Sequence, residues 1–96
     1  MVAAAEKTET FVSGSIAGGA SKPGSGTVEG VYTATIVTTK DWIIFDDFTQ
    51  IDYVHAFITA TGVDAEAYID GTTKNKVYIT GTGAVTILVK GTPAIL

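Results

Sequence analysis

IDYVHAFITATGVDAEAYIDGTTKNKVYITGTGAVTILVKG, residues 51–91, decides the fold. It divides into the runs IDYVHAFITAT (51–61), AEAYID (65–70), KVYITG (76–81) and AVTILVKG (84–91), separated by Gly, Asp, Asn and Thr. Each run is short and places apolar residues at every second position, which is the period of a strand with one face in a core. In 51–61, Ile51, Tyr53, His55, Phe57 and Thr59 share one face, and Asp52, Val54, Ala56, Ile58 and Ala60 share the other. Both faces are half apolar, which suits a central strand of a sandwich. The Asp70-Gly71 pair marks a hairpin, extended by TTKN. The stretch is therefore expected to form an antiparallel meander. It needs a second sheet, and residues 9–39 are the part of the chain able to supply one.

Downstream, residues 84–90 place Val85, Ile87 and Val89 inward, and Pro93 in the tail GTPAIL (91–96) is expected to end the ladder. The tail closes on Ile95 and Leu96, two apolar residues that must fold back or dock. Upstream, VEGVYTATIVTTK (28–40) reads as a long strand. Tyr32, Ala34 and Ile36 lie on one face, and the Thr-rich face of Val31, Thr33, Thr35 and Val37 is exposed or interfacial. In DWIIFDDF (41–48), four consecutive apolar residues (42–45) fit a short strand buried on both faces or a strand against another subunit. Residues 1–8 read as a flexible arm into a strand at 9–16, and AGGASKPGSG (17–26) as a loop, since five of its ten residues are Gly or Pro. The sum is one all-β domain over 1–96, an antiparallel β-sandwich or small open barrel of about seven strands.

Composition narrows function more than it defines it. Charged residues are 17% of the chain against a usual ~25%. A small domain with so few charges tolerates that surface best by burying part of it against neighbours. The six basic residues are all lysine, the net charge is −4, and no basic run exists, which disfavours nucleic acid as a partner. With no cysteine there is neither a disulfide nor a thiolate site. The apolar 2–5 segment is too short for a signal sequence, no run approaches the ~20 apolar residues of a membrane helix, and synthesis in the cytoplasm is expected. His55 is the only histidine and has neither a second histidine nor a nucleophile to work with. Asp46 and Asp47 read as a turn, and a calcium site there would need oxygens from Asp52, Asp64 or Glu66 at a spacing that matches no EF-hand loop. No enzyme and no cofactor is expected.

The run FTQIDYVHAFITATGVDAEAYIDGTTKNKVYITGTGAVTILVKG (48–91), about half of the chain, resembles the small β-rich virion proteins of tailed bacteriophages. It does so in a strand ending in small residues (AFITATG), a short hairpin pair and a closing run (TGTGAVTILVKG). The resemblance implies a capsid decoration or cement subunit on the capsid exterior. Its partners would be the major capsid protein and copies of itself, with no membrane involved. Expected contact residues are Val2, Phe11, Trp42, Phe45, Phe48, Ile95 and Leu96. Removing residues 1–10 is expected to weaken attachment and leave the fold intact. Two alternatives stand beside this reading. One is a tail or head-fibre component. The other is a carbohydrate- or cell-surface-binding β-sandwich, with Trp42, Tyr53, Tyr68 and Tyr78 stacking on sugar rings.

Overall fold

The computed structural model describes residues 3–14 and 28–94. The loop expected at 17–26 and the expected contacts Val2, Ile95 and Leu96 lie outside them. Seven strands run in chain order: β1 (Thr10–Ser13), β2 (Val28–Ile36), β3 (Asp41–Ile44), β4 (Phe48–Ile58), β5 (Ala67–Ile69), β6 (Lys76–Ile79) and β7 (Gly83–Pro93). They form two antiparallel sheets, β1-β2-β7-β4 and β3-β6-β5. Of the two architectures the sequence allows, the chain adopts the sandwich.

The longest strands set the topology. β7 is central in the larger sheet, paired with β2 from Val28↔Gly91 to Ile36↔Gly83 and with β4 from Phe48↔Pro93 to Ile58↔Val85. Its inward residues Val85, Ile87 and Val89 are sealed from solvent, as the alternation predicts. Tyr32 and Ile36 of β2 and Ile51 and Ala56 of β4 join them in one cluster, with Ile43, Val77 and Ile79 from the smaller sheet.

Three expectations are corrected here. Residues 51–91 are not one meander: β4 and β7 sit side by side in the larger sheet, and the short β5–β6 hairpin goes to the other sheet, beside β3. The two 11-residue strands satisfy more backbone by pairing with each other than either could with a strand of three or four residues. The tail does not begin at Gly91. β7 runs to Pro93, whose missing N–H is tolerated at the strand's last position. Finally, the strand beginning at Val28 ends at Ile36, not near Lys40. The Asp41 carboxylate takes the Val37 and Thr38 N–H groups (2.9 and 2.8 Å), and Lys40 turns at φ 69° into β3.

β4 departs from simple alternation. Its register against β7 slips between Phe48 and Gln50 and again between Ile51 and Tyr53. Each slip is a bulge, which adds a residue and resets the facing side chains. Ile51 is therefore buried with Ala56, while Tyr53 and His55, expected on Ile51's face, point to solvent. Gly91 faces this irregular segment. A β-carbon there would press onto the Gln50 carbonyl oxygen and lie 2.8 Å from Ile51 Cα. Both obstacles are backbone, so Gly91→Ala is expected to cost about 2 kcal/mol by forcing β4 from β7. Urea unfolding of the variant measures this.

Candidate interaction surfaces

Among the described residues the candidate sites are surfaces. The first is the outer face of the larger sheet. Register places Glu29, Lys90 and Tyr53 in one cross-strand row, Ser13, Val31, Leu88 and His55 in the next, and Thr10, Thr33, Thr86 and Phe57 beyond. Tyr53 is 56% exposed and Leu88 37%. With Val31, they line a shallow depression of about 400 Å³, bordered by Glu29 and Lys90. The Thr-rich face of β2, expected to be exposed or interfacial, is part of this surface.

The second surface is the outer face of the smaller sheet. Register aligns Trp42 with Tyr78, and Tyr78 with Tyr68. Tyr68 and Tyr78 stack at 5.2 Å and 18°, and Trp42 meets Tyr78 at 6.4 Å and 56°. The Lys76 ammonium lies 4.7 Å from the centre of the Trp42 ring and 5.0 Å from that of Tyr78, a cation–π contact with both. The Tyr78 hydroxyl donates to Asp70 Oδ1 (3.0 Å). The Thr73 and Thr72 N–H groups, and that hydroxyl, hold the Asp70 carboxyl below its ordinary value. Three of the four aromatics proposed for sugar stacking are thus brought together, and Tyr53 lies on the other sheet.

The third is the edge where the N-terminal segment meets β3. The segment is not a free arm. The Trp42 N–H donates to Ala5 O (3.1 Å) and the Lys7 N–H to Trp42 O (2.7 Å), so residues 5–7 add to β3 as a parallel edge. Asp41, 0% exposed, accepts the Ala5 N–H at 2.8 Å, and the Lys7 ammonium lies 3.9 Å away. Burial pushes the Asp41 carboxyl up, but the N–H groups of Thr38, Ala5 and Val37, with Lys7, outweigh it and leave it below the ordinary value. Glu9 is raised, first by burial and then by the charges of Asp46, Asp47 and Glu6.

Phe45 and Phe48, expected as partner contacts, are core residues at 0% and 1% exposure. Tyr32 packs edge-on against both, at 5.0 and 6.5 Å. The Asn75 side-chain amide donates to the carbonyls of Phe45 (3.3 Å) and Phe48 (3.1 Å) and fixes the turn that buries them. Of the other expected contacts that are described, Phe11 is 37% exposed and Trp42 is half-buried in the aromatic row. Three of the four aspartates weighed for calcium hold local hydrogen bonds. Asp47 accepts the Tyr32 hydroxyl, Asp52 the Gln50 amide and Asp64 the Glu66 N–H. Among the described residues no three acidic, His or Cys side chains are grouped to hold a metal ion. Val31, Tyr53 and Leu88 are not among the expected contacts, and their shared face depends on register between strands far apart in the chain.

No family model, no curated protein and no solved structure matches this chain.

Proposed function

We propose that this chain is a structural subunit of an assembled particle, a capsid decoration or cement protein that binds the lattice of the major capsid protein on the capsid exterior. The observation that carries the reading is the outer face of the larger sheet. Val31, Tyr53 and Leu88 form an exposed apolar strip over three hydrogen-bonded strands, with Glu29 and Lys90 at its border. A broad face of this kind suits a broad, flat partner and has a polar rim to set register. The low charge content and the resemblance of residues 48–91 to virion proteins support the same reading.

The aromatic row favours a second reading, a carbohydrate-binding module. Tyr68 is 45% exposed and offers a ring face at the sheet edge. Tyr78, however, has one face against Tyr68, and the Lys76 ammonium lies over both it and Trp42. The rings are largely occupied with each other and act first as a clasp across β3, β6 and β5.

One titration separates the readings. Purified protein is mixed with intact particles of the virus that encodes it, and bound protein is counted after sedimentation. Saturation at a fixed number of copies is expected, with Leu88→Lys weakening binding by about tenfold or more through a charge buried in the contact. Tyr68→Ala is expected to bind as the parent does. Absence of binding to particles, together with glycan binding that Tyr68→Ala abolishes, would replace the first reading by the second.

A further inference from the structure

We infer that β1 is a docking edge for a second copy of this chain, the two β1 strands pairing antiparallel across a two-fold axis. The sandwich has four outer edges: β1, β4, β3 and β5. The chain closes two of them with its own backbone. Along β4, Ile58 N–H donates to Val63 O (2.8 Å), Ala65 N–H to Ala56 O (2.9 Å) and Ile51 N–H to Lys74 O (2.9 Å). Along β3, residues 5–7 provide the cover. β5 is only three residues long. β1 is hydrogen-bonded to β2 on one side, and among the described residues no backbone partner meets its other side.

Open edges are ordinarily blunted by short length, a bulge, Lys, Pro or an inward charge. β1 reads TFVS, with no charge and no proline, and all four residues are exposed. Its bulge between Phe11 and Ser13 keeps any added ladder short.

The side chains on this edge point to self-pairing. A chain of net charge −4 meets its own copy most easily through an uncharged segment. Phe11 stands edge-on to Tyr32 at 5.5 Å, at the end of the aromatic cluster that continues to Phe45. Pairing centred on Phe11 sets each ring beside its copy and covers the exposed side of that cluster. Thr10 then falls opposite the copy's Val12, which is 55% exposed. The same residue on both subunits at the axis is what an isologous interface requires. The inference specifies the self-association within the proposed function, but it concerns the purified chain and needs no particle.

Sedimentation equilibrium of the purified chain, with two variants, tests it. A monomer–dimer equilibrium is expected, and Val12→Lys should raise its dissociation constant by about tenfold or more while leaving unchanged the melting temperature measured on dilute, monomeric samples. The chain has no cysteine, so a nitroxide on Ser13→Cys labels one site. Its distance to the label on the second copy should be roughly 15 Å, four residues of strand rise plus one strand spacing. A monomer at every concentration overturns the inference. So does a dimer with distant labels or one indifferent to Val12→Lys, since its contact lies on another face. A chain that is monomeric alone yet saturates particles overturns the self-pairing and leaves the proposed function standing.

Discussion

Replacing Asp41 with alanine is expected to lower the stability of the fold by about 4 kcal/mol, because it removes a buried carboxylate that three backbone donors and a lysine share. The Asp41 side chain receives the N–H groups of Ala5, Val37 and Thr38 within 2.9 Å and faces the Lys7 ammonium. Alanine takes from those groups the one carboxylate, itself 0% exposed, that accepts from all three. It also unties two distant pieces of chain, the 36–41 turn and the N-terminal segment, which this carboxylate joins. Asp41→Asn keeps the shape but offers a single acceptor oxygen and loses the charge, and is expected to cost about 2 kcal/mol. Removing residues 1–7 takes away one donor, the Lys7 charge and two backbone hydrogen bonds to Trp42, and should cost a similar amount. The free arm read from the sequence predicted no such loss, and residues 5–7 are instead part of the fold. Acid follows the same logic. The folded carboxyl titrates below the ordinary 3.8, so its contribution is complete above that value and is lost as pH falls through the depressed folded value. Guanidinium unfolding at pH 7 and at pH 3 measures all of this: Asp41→Ala should narrow the stability gap between the two.

Tyr32→Ala is expected to be as severe, at about 4 kcal/mol, from the cavity left by a large buried ring. Tyr32 is 1% exposed and is the hub on which Phe11, Phe45 and Phe48 converge edge-on. Its hydroxyl donates to Asp47 Oδ2 at 2.9 Å, tying β2 to the turn between β3 and β4. Burial first, and then the Asp47 carboxylate, push the phenol well above its ordinary value, so it remains a donor across the working pH range. Tyr32→Phe keeps the ring and loses that bond, at a cost of about 1 kcal/mol. Differential scanning calorimetry of the pair separates the two contributions. Equal losses in both variants would mean that the hydroxyl, not the ring, organises the cluster.

What the sequence made legible follows from range. Val85, Ile87 and Val89 announce their buried face by strict alternation within one strand, and the structure keeps it. β4 was misread because its bulges reset the alternation, which moved Ile51 inward and left Tyr53 outside. Phe45 ends an apolar run that fits a strand buried on both faces or set against another subunit, Phe48 follows two turn aspartates, and both read as partner contacts. Nothing local reveals that Asn75, 30 and 27 residues away, holds that turn against the core. Asp41 and Ala5 are 36 residues apart, and an aspartate before an apolar run looks like any other turn residue. The candidate surfaces were hidden for a related reason. Trp42, Tyr78 and Tyr68 form a row only once β3, β6 and β5 are in register, and Val31, Leu88 and Tyr53 come together only once β7 lies between β2 and β4.

In the proposed function the larger sheet's outer face is held against a shell. Electron cryomicroscopy of particles saturated with the chain tests it most directly. The expected result is a seven-stranded density at regular lattice positions, with Val31, Tyr53 and Leu88 turned toward the capsid surface and the Trp42–Tyr78–Tyr68 row turned to solvent. Empty lattice positions, or a subunit seated on the aromatic row with the larger sheet facing outward, would contradict it.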